Sequence, residues 1–431
     1  MRPPPIIESR DRNALAELYA PGWTPNEDVV ASVAKILRDV RSRGDDALCD
    51  YARRFDDPDF RLERLRVTLP SLEEARTLVP SEVAAGLELA RERVLAFHAR
   101  QRVPDIEYDE PDGSRYAILV RPLASVGAYV PGGTASLPSS AIMTTVPAKL
   151  AGIGRVVVVT PPARSGPGLG VNPAILFACV LCGVDELYAV GGAQAIGALA
   201  YGTSRIARVD KIVGPGSVWV TEAKRQVFGV VGIDGLAGPS EVLVVADESS
   251  RPELVAGEML AQAEHDRYAR VATVSTSRDV LARVSDVLVA SAETERNDIV
   301  RQVFDERAWL IHARDEEEIV DIIDRFAPEH LSIQTRDPMQ LVPRVRHAGA
   351  IFVGASTPVA AGDYIAGTNH VLPTAGAARF GSGLRLGDFM RTMSLVEYSD
   401  ARMQHDADVL ASLAEFEGLP AHAQSARMRK R

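Results

Sequence analysis

Residues 155–162 read RVVVVTPP and residues 186–192 read ELYAVGG, two short apolar runs that each stop at Pro or Gly before a helical pattern begins. Runs of the same kind are AILVRP (117–122), VGAYVPGG (126–133) and KIVGPG (211–216). A repeated order of strand, loop and helix is typical of a parallel sheet, whose strands need crossover connections. This part of the chain therefore predicts an α/β fold.

A second series of apolar runs follows the first. It begins at EVLVVAD (241–247) and continues through VATVSTS, WLIHA, LSIQT and AIFVG (350–354). The similarity of the two series predicts two incomplete Rossmann-like α/β units, as a duplication would produce.

We expect four segments along the chain. A helix-rich N-terminal segment covers residues 1–116, because apolar positions recur there every three or four residues. The two α/β units cover residues 117–238 and 239–381. Residues 382–431 form a helical C-terminal segment, with a clear helical pattern in DADVLASLAEFEG.

Composition excludes several classes of protein. The chain has 431 residues, 46% of them hydrophobic, and a formal net charge of −10, which argues against binding to nucleic acid. The longest apolar run, AILFACVLC, is far below the ~18 residues that span a bilayer. We expect a cytoplasmic protein without a membrane segment.

The sequence contains three cysteines, too few for a disulfide framework. Cys179 and Cys182 form a CxxC pair in a wholly apolar setting, which favours buried small hydrophobic residues over a redox or zinc pair. The dinucleotide fingerprint GxGxxG is also missing, and GGAQAIG (191–197) has the right context but the wrong spacing. Spacing alone therefore predicts no nicotinamide site.

The stretch MLAQAEHD (259–266) has two interpretations. Ser250, Pro252 and Glu253 upstream resemble a capping box that opens a helix, which would place Gln262 and His265 on one helix face. That face is either solvated or half of a metal site, and glutamine is an uncommon zinc ligand.

The stretch FAPEHL (326–331) places two proton-transfer groups side by side. Pro328 ends the preceding helix by excluding Ala327 from the α region, so Glu329 and His330 lie in the turn before a strand. A carboxylate next to an imidazole suits acid–base catalysis, although a dipeptide alone is a weak signal.

Two further stretches carry candidate residues. After the strand AIFVG, a Gly- and Pro-rich loop holds Asp363 and His370, and predicts either a binding site or a solvated loop with Asp363 in an Asx-turn. Near the C-terminus, Glu417 ends a helix that Gly418 stops, and His422 follows on a short segment.

Taken together, these stretches resemble the histidinol dehydrogenase family. The resemblance covers residues ~117–427 and keeps the family's order of motifs. The motifs are YVPGGTASLPSS, VGGAQAIGALAYGT, VDKIVGPG, AGPSEVLV, LAQAEHD, FAPEHL, AIFVGASTPVAAGDYIAGTNHVLPT and GLPAHAQSAR.

The resemblance implies a zinc enzyme that oxidises L-histidinol through L-histidinaldehyde to L-histidine with NAD, in the last steps of histidine biosynthesis. One Zn²⁺ per subunit would be bound by Gln262, His265, Asp363 and His422. This mixed set of nitrogen and oxygen ligands leaves the metal able to accept substrate donors.

The resemblance also implies roles around the substrate. His330 would take the alcohol proton and Glu329 would activate water for attack on the aldehyde. Ser240, His370 and Glu417 match positions at the substrate, where His330 and the four zinc ligands also belong.

For NAD, the matching positions are Tyr129, Gln194 and Ser217. The family commonly has Asn where this chain has Ser217, so one cofactor contact is lost or bridged by water. The resemblance also implies a homodimer with shared active sites, in which His422 would be a ligand to the partner's metal.

Three alternatives remain open on the sequence. A paralogue would oxidise another small alcohol on the same scaffold. A zinc hydrolase would use Glu329 to activate water without a hydride acceptor. A non-catalytic binding protein would use the α/β units alone.

Overall fold

The structure is a computed structural model that describes residues 4–20, 25–132, 136–163, 170–291 and 297–430. Residues 133–135 of the motif YVPGGTASLPSS lie outside this part of the chain. The strands are β1 (Ile6–Glu8), β2 (Arg66–Val67), β3 (Ile106–Asp109), β4 (Arg115–Pro122), β5 (Ser125–Tyr129), β6 (Arg155–Thr160), β7 (Glu186–Ala189), β8 (Lys211–Val213), β9 (Gly232–Ile233), β10 (Glu241–Ala246), β11 (Arg270–Ser275), β12 (Ala308–His312), β13 (His330–Ile333), β14 (Ala350–Val353) and β15 (Met390–Glu397). The helices are α1 (Ala16–Tyr19), α2 (Glu27–Arg43), α3 (Asp45–Phe55), α4 (Leu72–Thr77), α5 (Ser81–Ala99), α6 (Pro138–Leu150), α7 (Pro173–Leu181), α8 (Gly192–Tyr201), α9 (Val218–Val227), α10 (Pro252–Ala263), α11 (Arg278–Ala290), α12 (Asn297–Glu306), α13 (Glu316–Phe326), α14 (Val359–Tyr364), α15 (Asp400–Phe416) and α16 (Pro420–Arg427).

Two six-stranded sheets form the centre of the fold. The first has the order β2-β7-β6-β5-β8-β9, in which only β2 is antiparallel to its neighbour. The second has the order β1-β12-β11-β10-β13-β14 and is parallel throughout. Both confirm the α/β class that the apolar runs predict.

The two sheets share one topology. If the five consecutive strands of each unit are numbered from β5 and from β10, both sheets place them in the order 3-2-1-4-5. This is the order of the Rossmann fold, in which the chain reverses direction beside the first strand. The prediction of two Rossmann-like units is therefore confirmed.

The N- and C-terminal segments are less purely helical than the sequence predicts. β1 and β2 each add an edge strand to a central sheet, while β15, β4 and β3 form a separate antiparallel sheet. The run AILVRP belongs to β4 in that third sheet, so its assignment to a parallel sheet is wrong. Buried and exposed residues do not alternate regularly along β4, because most of its residues are at least partly exposed, so the sequence pattern does not identify an antiparallel strand. The division into four segments stays a prediction.

Helices cover both faces of each parallel sheet, and their apolar sides form the core. In the first unit, α5, α6 and α7 pack on one face and α2, α3 and α8 lie on the other. Cys179 and Cys182 are buried in this core, as the sequence predicts, and burial raises the pKa of both thiols. No helix in the described residues is long and apolar enough to cross a membrane.

One local prediction is wrong. Ser250 does not cap α10: the helix has Arg251 at its N-cap position with no side-chain cap. Instead the Ser250 hydroxyl donates to the carbonyl of Gln334 at 2.7 Å. Ser250 thus ties the start of α10 to the end of β13.

Phe177 of α7 is fully buried in the first unit, so Phe177→Ala should leave a cavity there. We expect a loss of about 3–5 kcal/mol in the free energy of unfolding, measured by chemical denaturation. Phe97→Ala, which removes a side chain that is 43% exposed, is the control and should cost less than about 1 kcal/mol. Equal losses would contradict this packing.

Candidate active site

Glu329 and His330 lie at the amino-terminal edge of the second sheet. His330 is the first residue of β13, and Ser240 directly precedes the neighbouring strand β10. The preceding helix α13 ends at Phe326, and the next residue, Ala327, has a φ of 49° and a ψ of 60°, which place it in the left-handed region. Pro328 therefore ends the helix as the sequence predicts.

The main chain at Glu241 holds both candidate proton-transfer groups, Glu329 and His330. The N–H of Glu241 donates to Oε2 of Glu329 at 3.0 Å, and the hydroxyl of Ser240 donates to the same oxygen. The carbonyl of Glu241 is 3.0 Å from Nδ1 of His330. Because a carbonyl can only accept, Nδ1 must carry the proton of the neutral imidazole.

Burial sets the protonation of the pair. It raises the pKa of Glu329 from 4.5 to about 8, although the bonds from Ser240 and the Glu241 N–H oppose this change. Burial also lowers the pKa of His330, against the attraction of Asp363. His330 is therefore a neutral imidazole that is able to accept a proton.

The other ring nitrogen of His330 faces the remaining site residues. Its Nε2 is buried without a hydrogen-bond partner in the described chain and lies 3.7 Å from Oδ1 of Asp363. A buried nitrogen with a free lone pair is suited to receive a proton from a ligand bound between β13 and α14.

Asp363 and His370 lie together on the same side. The sequence placed Asp363 in a loop, but it lies in the short helix α14. The carbonyl of Asp363 accepts from Nδ1 of His370 at 2.8 Å. His370 Nε2 is 3.1 Å from the hydroxyl of Ser140 on α6, which joins the first unit to the site.

Gln262 and His265 have different surroundings. Gln262 lies in the last turn of α10 and is buried, and its Nε2 has no hydrogen-bond partner among the described residues. α10 ends at Ala263, so His265 follows the helix in an exposed turn and does not share a helix face with Gln262. His265 still lies close enough to act electrostatically on His370.

Glu417 and His422 lie apart from this cluster. Glu417 caps α15, and Gly418 ends it with a φ of 76°, as predicted; His422 is exposed on α16. α15 and α16 form a hairpin that packs on itself. Within the described residues, no three His, Cys, Asp or Glu side chains are grouped to hold a metal.

The three predicted cofactor residues lie at the carboxyl-terminal edge of the first sheet. Tyr129 ends β5, Gln194 is buried near the start of α8, and Ser217 heads α9 after β8. The Tyr129 hydroxyl accepts the N–H of Gly192 at 3.1 Å, and burial raises its pKa to about 12. Such edges hold ligands in Rossmann-like folds, beside the first strand.

Several residues that build the site were missed from the sequence. Glu241 and Ser140 look like ordinary members of a strand and a helix, because their contacts involve residues that are distant in the chain. One signal was available: Glu241 and Arg270 are charged residues at the start of apolar strands. Gly349 was also missed, although a Cβ there would lie 2.6 Å from the carbonyl oxygen of Glu329.

Two Rossmann-like units with a buried carboxyl–imidazole pair at a sheet edge are the features of an α/β enzyme. A family model described as histidinol dehydrogenase matches residues 23–430. The chain belongs to the histidinol dehydrogenase family, oxidoreductases that catalyse the final steps of histidine biosynthesis.

Individual relatives agree with this assignment. The chain is 46% identical to the histidinol dehydrogenase of Syntrophotalea carbinolica and 43% identical to that of Gluconobacter oxydans, with 96% of both chains covered in each case. A crystal structure of histidinol dehydrogenase from Elizabethkingia anophelis matches with a TM-score of 0.92 and 32% identity, and covers 100% of this chain and 98% of that one.

The raised pKa of Glu329 makes a prediction about stability. Between pH 4.5 and about 8 the folded protein keeps a proton that the unfolded chain has released, so its stability should fall as the pH rises. Glu329→Gln cannot ionise. In this pH window, the free energy of unfolding of the metal-free variant should therefore increase relative to that of metal-free wild type by on the order of 1.4 kcal/mol per pH unit. Chemical denaturation between pH 5 and 8 measures this; parallel stability curves would contradict it.

Proposed function

We propose that this chain is an NAD-dependent, zinc-requiring enzyme that oxidises L-histidinol through L-histidinaldehyde to L-histidine. The observation that carries the proposal is the pair Glu329 and His330, both hydrogen-bonded to the main chain of Glu241. Burial raises the pKa of Glu329 to about 8, which makes its carboxylate a stronger base, and lowers the pKa of His330, which keeps its imidazole neutral. Family membership supplies the substrate class.

The donor set fits zinc. Gln262 has a buried amide group without a hydrogen bond at Nε2, so a flip that presents its oxygen breaks no bond there. Asp363 and His265 add a carboxylate and an imidazole, and we assign His422 as the fourth ligand. Bound zinc would supply a Lewis acid that holds the amino alcohol and its aldehyde.

We assign the two proton transfers to different residues. His330 accepts the alcohol proton at Nε2, because its Nδ1–H is already bound to the Glu241 carbonyl. Glu329 accepts a proton from the water that attacks the aldehyde, and Ser240 orients its carboxylate. His370 and Glu417 complete the substrate site, with His370 fixed between Asp363 and Ser140.

NAD would accept the hydride in each oxidation, and we assign its site to Tyr129, Gln194 and Ser217. These residues lie at the carboxyl edge of the first sheet. The bond between Ser140 of α6 and His370 supports a position for this edge beside the substrate residues. Ser217 offers a hydroxyl and no amide, so it makes fewer hydrogen bonds than Asn would.

We further propose a homodimer with shared active sites. The C-terminal hairpin exposes an apolar surface, with Leu413 61% and Phe416 92% exposed. Exposed apolar surface of this kind is typical of a protein interface. A partner's hairpin would bring Glu417 and His422 to the cluster that lacks them in one chain. A cytoplasmic location stays a prediction from the sequence.

The stoichiometry of the reaction tests the proposed function. Zinc-loaded protein with excess NAD should form two molecules of NADH, followed by absorbance, for each L-histidinol consumed, with L-histidine as the product. One NADH with released aldehyde would contradict the water-activating role of Glu329. No turnover by folded, zinc-loaded protein would indicate a paralogue with another small alcohol as substrate.

Mixed subunits test the shared site. His265→Asn and His422→Asn should each be inactive and deficient in zinc. After subunit exchange in an equal mixture, about half of the dimers contain one subunit of each variant, and one of their two sites carries both intact ligands. The mixture should therefore recover about a quarter of wild-type activity and zinc. No recovery, with exchange demonstrated by mass spectrometry, would place both ligands in the same chain.

A further inference from the structure

A buried ion pair adjoins the site without belonging to the proposed substrate, zinc or NAD sites. Glu241 and Arg270 begin the adjacent strands β10 and β11, directly opposite each other in register. The Glu241 side chain is fully buried and that of Arg270 is 11% exposed. Removing two charges from water is costly, so such a pair adds little stability compared with apolar residues.

Each partner of the pair is fixed by further contacts. The Arg270 guanidinium donates to Oε1 of Glu241 and to the carbonyl of Leu18 at 3.2 Å, and lies 5.2 Å from the ring centroid of Phe326. Oε1 of Glu241 also accepts the N–H of Ala375 at 3.1 Å. The carboxylate of Glu241 is therefore held in place by two donors, the Arg270 guanidinium and the Ala375 N–H.

The Ala375 contact holds a strained backbone. Ala375 has a φ of 58°, in the left-handed region that disfavours residues with a Cβ. Ala375 and Ala327 are the two non-glycine residues with positive φ in the described chain, and Ala327 lies two positions before Glu329. Strain of this kind persists only where surrounding contacts enforce it.

We propose that the Glu241–Arg270 ion pair is a positioning device for the proton-transfer residues. The pair fixes the side chain of Glu241, and so fixes the N–H and carbonyl that hold Glu329 and His330 at 3.0 Å each. One displaced peptide would misplace both groups, and errors of about 1 Å can cost 100-fold in rate. The proposal rests on the proposed function for the roles of these two residues.

Paired substitutions at Arg270 test the proposal. Arg270→Lys keeps the positive charge, whereas Arg270→Met removes it and leaves a side chain of similar length to that of lysine. We expect Arg270→Met to lower kcat at least tenfold relative to Arg270→Lys, with KM for L-histidinol within threefold and similar melting temperatures. Both half-reactions, from L-histidinol and from L-histidinaldehyde, should slow by a similar factor. Equal kcat values, or a change in KM alone, would overturn the positioning role.

Glu241→Gln tests the other partner. It keeps an acceptor for Ala375 and removes the charge, so it should slow both half-reactions, and adding Arg270→Met should cause no further loss. Glu186→Gln is the control, because Glu186 pairs with Arg155 between adjacent strands of the first sheet, away from the site residues. It should keep wild-type kcat and KM. Additive losses from Glu241→Gln and Arg270→Met would show that the two do not act as a pair.

A spectroscopic readout separates this proposal from the proposed function. In ¹⁵N-histidine-labelled protein, the Nδ1–H of His330 should give a protected resonance, assigned by its loss in His330→Asn. Glu241→Gln and Arg270→Met should shift or remove it, while Glu186→Gln should not. An unchanged resonance would overturn the positioning role, whereas a wild-type protein with this signature but no turnover of L-histidinol would contradict only the proposed function.

Discussion

The candidate active site depends on the burial of one carboxyl group, that of Glu329, between two parallel strands. Glu329 can be buried because Ser240 and the N–H of Glu241 both donate to the same oxygen. These donors are available because β10 and β13 are adjacent, in a register that brings both their first residues to one edge. In a sheet of order 3-2-1-4-5, adjacent strands 1 and 4 are far apart in sequence, so only the sheet topology creates this contact.

The two units use opposite edges of the same topology. The first unit places Tyr129, Gln194 and Ser217 at its carboxyl edge, where Rossmann-like folds hold nucleotides. The second places Ser240 and Glu329 at its amino edge. The bond from Ser140 to His370 joins α6, which starts at the first edge, to the cluster at the second. The proposed function therefore assigns cofactor binding to the carboxyl edge of the first sheet and proton transfer to the amino edge of the second.

The sequence predicts the strands of the parallel sheets well, because buried strands such as RVVVVT are continuously apolar and stop at Gly or Pro. It does not predict their order, and it misplaces β4, whose partners β3 and β15 are set by distant pairing. The sequence predicts the position of the dipeptide Glu329–His330, because Pro328 marks the end of the preceding helix. The sequence does not predict the contacts of Glu241 with this pair, since they are made by main-chain atoms that every residue has.

The predicted metal ligands lie in two different parts of a single chain. Gln262 and Asp363 lie on helices of the second unit, α10 and α14, and Oδ1 of Asp363 is 3.7 Å from Nε2 of His330. His422 lies on a hairpin whose buried apolar core consists of Ala411, Ala414, Ala423 and Ala426, with Met403 partly buried against them. Small residues allow two helices to approach closely but bury little apolar area, so the large apolar side chains of the hairpin stay exposed. This exposed apolar surface supports the proposed assignment of the hairpin to a subunit interface.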